Sequence, residues 1–185
     1  GAAVNGRTIG IVGLGQIGRK VAMRARGFQM NIIGSELHPD HEFIRLHNIR
    51  LANLDELLRD SDFISLHCPL TSETHHLIGR RELAIMKPTA FLINTARGGL
   101  IDEHALYDAL LSGQIAGAAS DAFEHEPLHD SPLLKLNNFI ATPHIAFCTR
   151  EVLSLMEKIS VQNLIDVFEG RHSENIVDLS QYGSE

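Results

Sequence analysis

Residues 8–18 read TIGIVGLGQIG, a short apolar run followed at once by three glycines in the spacing GxGxxG. The run is rich in β-branched residues and stops at a glycine, which is typical of a buried parallel strand. Beyond the glycines, apolar residues recur at the 3.6-residue spacing of a helix face up to Arg26, and Gly27 is placed to end that helix. This stretch therefore predicts a strand, a tight turn and a helix in direct succession.

Strand and helix patterns alternate along the rest of the chain. Further predicted strands cover residues 30–34, 63–67, 90–94, 117–123 and 139–142, and predicted helices cover 53–58, 73–86, 102–111 and 150–168. Residues 124–138 are predicted to form a surface loop. Because parallel strands need crossovers that cover the sheet, this alternation predicts an α/β fold, a doubly wound and mostly parallel sheet of Rossmann type. We expect a single domain over residues 8–172, with a lead-in at 1–7 and a C-terminal tail at 173–185.

Composition excludes several classes of function. With 16 Lys and Arg against 23 Asp and Glu, the formal charge of −7 repels a nucleic-acid backbone, so no nucleic acid partner is expected. No apolar run reaches the roughly 18 residues that span a bilayer, and the first residues lack a signal-peptide pattern. The two cysteines, Cys68 and Cys148, are too few for a disulfide framework. We therefore expect a cytoplasmic protein with no membrane partner.

A metal site is not expected either. The 11 histidines are scattered along the chain. His75 and His76 are adjacent on a predicted helix, where neighbouring side chains point in different directions and cannot both face one ion.

The spacing of the three glycines has a mechanical reason. Gly13 would make the sharp turn, Gly15 would let the backbone approach a pyrophosphate, and Gly18 would let the helix pack close to the strand. The helix N-terminus would point unpaired N–H groups and a positive dipole end at the phosphates. Gln16 and Ile17 would then bind mainly through their backbones.

An acidic residue completes this pattern. Glu36 follows the second strand at about the 20-residue distance expected of the acid that binds the ribose hydroxyls of a dinucleotide. A carboxylate there would repel a 2′-phosphate, so the sequence predicts NAD over NADP. The alternative is a solvated glutamate on the surface, and the neighbouring Ser35 leaves the strictness of this preference open.

Four later segments resemble the D-isomer-specific 2-hydroxyacid dehydrogenases, the family of phosphoglycerate, glycerate and D-lactate dehydrogenases. They are HCPLT at 67–71, NTARGGLIDE at 94–103, DAFEHEP at 121–127 and TPHI at 142–145. Their order and spacing are similar to those of the family, and with the glycine turn they cover most of the chain. The resemblance implies an oxidoreductase that transfers a hydride between NAD(H) and a small D-2-hydroxy acid or 2-keto acid.

The resemblance also implies the roles of individual residues. Arg97 would grip the substrate carboxylate, His144 would donate or accept a proton, and Glu126 would hold the imidazole and favour its charged form. Taken singly, these residues could instead form a surface ion pair, a loop histidine and a cap. Asp121 would receive the nicotinamide amide. The full set of expected cofactor contacts is Gly13, Gly15, Gln16, Ile17, Gly18, Glu36, Cys68, Pro69, Thr95, Ala96, Arg97, Asp121, His144 and Ala146.

One departure from the family bears on activity. Its full-length members build a second, substrate-binding domain from an N-terminal segment and the C-terminal tail, and we expect this chain to lack most of that domain. Such a fragment should bind NAD but turn over 2-hydroxy acids poorly, because hydride transfer needs a positioned substrate and exclusion of water. Since the cofactor domain forms the dimer interface in the family, a homodimer is expected. The alternative function is a non-catalytic NAD-binding sensor, similar to the corepressors in the family that keep the three catalytic residues.

Overall fold

A computed structural model describes residues 3–173 and 175–176. The chain divides into two compact units, Gly1–His144 and Ile145–Glu185, and each is described by itself.

The first unit alternates strands and helices from its start to its end. Its elements are β1 (Thr8–Val12), α1 (Gln16–Gly27), β2 (Asn31–Ser35), α2 (His41–His47), β3 (Arg50–Leu51), α3 (Leu54–Asp60), β4 (Phe63–Leu66), α4 (Arg80–Ile85), β5 (Phe91–Asn94), α5 (Glu103–Leu111), β6 (Gly117–Ser120) and β7 (Phe139–Ala141). Short 3-10 helices lie at Gly98–Leu100 and Pro132–Lys135.

The strands form one seven-stranded sheet in the order β3-β2-β1-β4-β5-β6-β7. Every neighbouring pair is parallel. From β1 at the centre, β2 and β3 are added toward one edge of the sheet. The chain then crosses back to β4 on the other side of β1, and β5, β6 and β7 follow toward the opposite edge. The prediction of a doubly wound, parallel sheet is therefore confirmed, and the strand order reverses between β1 and β4.

Apolar side chains cover both faces of the sheet, as strands buried between two helical layers require. Ile9 and Ile11 of β1 pack in one cluster with Ala22 and Ala25 of α1. Val12 of the same strand points to the opposite cluster. That second cluster is the larger one and includes the fully buried residues Leu57, Leu58, Ile64, Leu66, Ile78, Leu83, Leu92, Leu100 and Ile115.

The predicted helix over residues 73–86 was wrong in its first half. Only Arg80–Ile85 is helical, and residues 72–76 form turns. The reason is a non-local pairing, because Ile78 forms a parallel bridge with Ile101 and its N–H donates to Leu100 O at 3.0 Å. An extended residue held in this way cannot continue a helix.

Smaller differences concern short elements. The sequence patterns did not predict α2 or β3. Within the predicted surface loop 124–138, the 3-10 helix Pro132–Lys135 begins after Ser131, whose side chain accepts a hydrogen bond from Leu133 N. The strand predicted over residues 117–123 is β6, and it ends at Ser120.

In the second unit, α6 covers Arg150–Phe168, the range that its apolar spacing predicted. Thr149 caps it by accepting a hydrogen bond from Val152 N at 3.2 Å. Among the described helices, none combines the length and the apolar character needed to cross a membrane.

Candidate active site

The sequence-predicted site residues of the first unit follow the ends of different strands. Gly13 comes after β1, Glu36 after β2, Thr95 after β5 and Asp121 after β6. The carboxyl ends of parallel strands lie on one edge of a sheet, and ligands bind there where the strand order reverses. The fold thus brings these residues to the edge at which a dinucleotide would be expected.

The three glycines of the turn have different surroundings. Gly13 has φ +92°, and a Cβ there would lie 2.7 Å from Cys68 N. A Cβ on Gly18 would lie 2.0 Å from Gly13 O, so α1 packs directly against the turn. No heavy atom lies within 4 Å of a Cβ built on Gly15, the residue that precedes α1. The turn therefore leaves open space at the N-terminus of a 12-residue helix, and this space fits a pyrophosphate.

Both carboxylate oxygens of Glu36 accept backbone hydrogen bonds, and one of these bonds comes from the glycine turn. Oε2 accepts the Leu14 N–H at 2.7 Å, and Oε1 accepts the His38 N–H at 3.1 Å. An ionised carboxylate has about four acceptor positions, so two such bonds leave capacity for the hydroxyls of a ribose. Glu36 is therefore bonded to the glycine turn, and its contact with a ribose stays a prediction.

Asn94 shapes the loop that carries Arg97. Its buried side chain accepts the Ala96 N–H at 3.0 Å and donates to Arg97 O at 2.9 Å. The Arg97 side chain is exposed, with Nη1 donating to Ala96 O at 2.7 Å. Sequence reasoning did not assign Asn94 to the site, although a polar residue at the end of a buried strand was a signal for it.

Glu126 and His144 form a direct pair across the ends of two loops. His144 Nδ1 lies 2.7 Å from Glu126 Oε2, and the Phe123 N–H donates to Glu126 Oε1 at 2.9 Å. The hydrogen bond with His144, and then that from Phe123, hold the pKa of the Glu126 carboxyl below its usual value. The carboxylate is therefore charged and oriented toward the imidazole.

Two cavities meet at this pair. One, of about 460 Å³, is lined by Leu70, His75, Arg97, Glu124, Glu126 and His144, among others. The other, of about 610 Å³, is lined by Glu126 and His144 together with apolar side chains such as Phe123, Leu134 and Ala141. The three residues predicted to be catalytic thus line one cleft.

Comparison with known proteins agrees with this geometry. The model of the family described as D-isomer specific 2-hydroxyacid dehydrogenase, NAD binding domain, matches residues 1–146. The chain belongs to this family.

Individual members are similar to the chain over nearly its whole length. D-3-phosphoglycerate dehydrogenase of Methanocaldococcus jannaschii is 44% identical over 180 residues, which are 97% of this chain and 34% of that protein. Glyoxylate reductase of Korarchaeum cryptofilum is 46% identical over 179 residues, which are 96% of this chain and 54% of that protein. The chain thus spans about a third of the length of the first relative and about half of the length of the second.

A solved member of the family gives the same comparison at the level of structure. The NAD-complexed form of the D-isomer specific 2-hydroxyacid dehydrogenase from Lactobacillus delbrueckii ssp. bulgaricus superposes with a TM-score of 0.85 at 32% identity. The superposition covers 96% of this chain and 57% of the Lactobacillus chain. The chain is accordingly the NAD-binding domain of the 2-hydroxyacid dehydrogenase family.

The remaining predicted NAD contacts of this dehydrogenase domain are distributed as follows. Asp121 is buried, and its Oδ1 accepts the Thr142 hydroxyl at 2.5 Å while its N–H donates to Asn94 O at 2.9 Å. Cys68 is half-buried just beyond β4, and burial raises the pKa of its thiol. Pro69 is exposed beside it. Ala146 belongs to the second unit, so its predicted contact stays a prediction.

The placement of His75 and His76 on a helix was also wrong. Both lie in the turn that precedes α4, and their rings stack with centroids 3.9 Å apart. His76 Nε2 lies 3.1 Å from Glu124 Oε1 at the rim of the cleft. Over residues 3–173 and 175–176, no three His, Cys, Asp or Glu side chains are grouped so that they could hold a metal ion.

Two further charged residues at the glycine turn were not assigned from the sequence. Arg19 follows Gly18 directly, and its Nε donates to Leu14 O at 2.9 Å. Its Nη1 lies 2.8 Å from Asp40 Oδ2. The signal for Arg19 was its place directly after the glycine turn, whereas nothing local in the sequence pairs it with Asp40.

Proposed function

We propose that this chain is the cofactor-binding and catalytic half of an NAD-dependent dehydrogenase acting on a small D-2-hydroxy acid or 2-keto acid. The observation that carries this proposal is the 2.7 Å pair of His144 Nδ1 and Glu126 Oε2, which lines the same cleft as Arg97. Glyoxylate, named for the relatives glyoxylate reductase, is a suitable first substrate to test.

Backbone groups at Gly15, Gln16 and Ile17 would hold the pyrophosphate of NAD, and Glu36 would accept hydrogen bonds from the adenosine ribose. Asp121 would bind the amide of the nicotinamide. When bound, NAD supplies the acceptor or donor of a hydride.

The protein's own groups would position the acid and move one proton. Arg97 can bind a carboxylate through two parallel N–H bonds and polarise the adjacent carbonyl, because its guanidinium is planar and permanently charged. Nδ1 of His144 is engaged by Glu126, so Nε2 would give a proton to the carbonyl oxygen in reduction and take it from the hydroxyl in oxidation. Glu126 would orient the ring and stabilise its charged form.

We further propose a cytoplasmic protein that forms homodimers and has neither nucleic acid nor membrane as a partner. The formal charge of −7 supports the absence of a nucleic acid partner. The two cysteines, both free, support a cytoplasmic location. Membership of a family whose cofactor domain forms the dimer interface supports the dimer.

Isothermal titration with NAD tests the cofactor site. A methyl group in the open space at Gly15 would meet the pyrophosphate, so we expect Gly15→Ala to weaken NAD binding by at least about tenfold, with little loss of stability. Gly27→Ala is the matched control, because a Cβ there also meets no atom within 4 Å but lies at the other end of α1. NAD binding by Gly15→Ala that equals binding by Gly27→Ala would remove the pyrophosphate from this turn.

NADH oxidation with glyoxylate tests the chemistry on the same samples. We expect slow turnover by the 185-residue chain and a further loss of about 10²-fold in His144→Gln, with NADH affinity retained. A wild-type chain that binds NADH but oxidises it no faster than His144→Gln does would favour the alternative, a non-catalytic NAD-binding module.

A further inference from the structure

Arg19 and Glu36 are attached to the same residue of the glycine turn. Arg19 Nε donates to the Leu14 carbonyl at 2.9 Å, while Glu36 Oε2 accepts the Leu14 N–H at 2.7 Å. Arg19 and the carboxylate that is proposed to bind the adenosine ribose are therefore held at the same residue of the turn, one by its C=O and the other by its N–H. An arginine near the ribose-binding carboxylate is the group that binds the 2′-phosphate of NADP in folds of this type.

Asp40 engages that guanidinium. Its Oδ2 lies 2.8 Å from Arg19 Nη1, and its Oδ1 accepts the Phe43 N–H at 3.0 Å, where Asp40 caps α2. The hydrogen bond from Phe43, together with Arg19, keeps the pKa of the Asp40 carboxyl below its usual value. Arg19 Cζ also lies over the ring of Phe43, 5.0 Å from its centre.

The charge balance around the ribose position follows from these contacts. Asp40 balances the charge of the Arg19 guanidinium, and Glu36, bonded to the N–H of the same Leu14, adds one more negative charge, so these three side chains sum to about −1. A 2′-phosphate brings further negative charge and needs cationic donors that are available to it. With Asp40 in place, Arg19 is largely neutralised and its donors are directed elsewhere.

We propose that Asp40 is a specificity-determining residue that disfavours NADP by holding Arg19 in an ion pair at the glycine turn. This inference rests on the proposed cofactor site and adds to the role of Glu36, because it assigns part of the discrimination to a residue outside the glycine motif. Neutralising Asp40 would leave the guanidinium of Arg19 able to turn toward a 2′-phosphate.

Isothermal titration of the same chain with NAD and with NADP tests the proposal. We expect Asp40→Asn to raise NADP affinity by about fivefold or more and to change NAD affinity by less than about twofold. Asparagine also caps helices well, so α2 is retained, and Asp40→Ser gives a second capping variant with the same expected result. Adding Arg19→Leu to Asp40→Asn should abolish the gain, since the gain depends on the released guanidinium.

Asp108→Asn is the matched control. Asp108 pairs with Arg80 at the same distance of 2.8 Å, on α5 and α4, and should leave both affinities unchanged. NAD binding with an unchanged NADP affinity in Asp40→Asn and Asp40→Ser would overturn this inference alone. Absence of NAD binding by folded wild-type protein would overturn the proposed function and this inference together.

Discussion

At the scale of single residues, the site depends on a carboxylate whose ionised form is stabilised by its hydrogen-bond partners. Glu126 is only partly shielded from solvent, since 36% of its side chain is exposed, yet both of its oxygens accept hydrogen bonds from His144 and Phe123. These bonds favour the ionised carboxylate and so lower its pKa. The same contact engages Nδ1 of His144, the ring nitrogen that is not assigned the proton transfer.

This pairing predicts how Glu126 titrates. We expect the midpoint of its carboxyl signal in a ¹³C NMR titration to lie below the ordinary value of 4.5, and to move toward that value in His144→Gln, because the largest cause of the shift is removed. A depressed folded-state pKa contributes stability that is present above pH 4.5 and is lost as the pH falls through the folded-state pKa. The difference in unfolding free energy between wild type and His144→Gln should therefore shrink on acidification below that pH. A midpoint that is the same in both proteins would contradict the assigned contact.

At the scale of elements, the sequence predicted what local patterns determine. The apolar runs predicted β1, β4 and β5 to within a residue, and the apolar spacing predicted α6 at Arg150–Phe168. The helix predicted over 73–86 failed because Ile78 pairs with Ile101, a partner 23 positions away that periodicity cannot indicate. The short α2 and β3 lack enough apolar residues to show a period.

The same division applies to the site. Gly15 and Glu36 could be predicted because strand, turn and helix follow one another directly, and Arg97, Glu126 and His144 because family motifs mark them. The pair of Arg19 and Asp40 could not, since it depends on how α1 and the loop after β2 come together. The polar character of Asn94 at the end of a buried strand was a signal, but its bonds to the backbone of its own loop appear only in the structure.

The junction of α3 and β4 offers a test of packing between elements. Ser61, which ends α3, is fully buried, and its hydroxyl has no hydrogen-bond partner in the described part of the chain. We expect Ser61→Ala to leave the free energy of unfolding unchanged or to raise it by up to about 1 kcal/mol, because it removes an unsatisfied buried polar group. Urea unfolding at neutral pH measures this. Leu92→Ala on the neighbouring β5 serves as the contrast and should cost about 2–5 kcal/mol, since Leu92 is fully buried in the larger cluster. A loss of more than about 1 kcal/mol in Ser61→Ala would show that the hydroxyl is bonded.

At the scale of the whole molecule, the proposed cofactor contacts come almost entirely from one unit. The glycine turn, Glu36, Asp121 and the pair of Glu126 and His144 all lie within Gly1–His144, on loops that follow strands of one continuous sheet. A ligand that touches the ends of several strands binds only when the sheet is formed. NAD binding and the folding of this unit should therefore be coupled.

This coupling has a measurable size. A ligand that binds only the native state at 100 times its dissociation constant raises the free energy of unfolding by about 2.7 kcal/mol. We expect NAD at that concentration to raise the urea midpoint of the wild-type chain accordingly, and to slow amide hydrogen exchange in β1, β4 and β5, whose ends carry the site. Gly15→Ala should lose most of this shift while keeping its midpoint in the absence of NAD, and Gly27→Ala should retain the shift. Stabilisation of Gly15→Ala equal to that of wild type would mean that NAD binds away from the glycine turn, because only a ligand in that space would be displaced by the added methyl group.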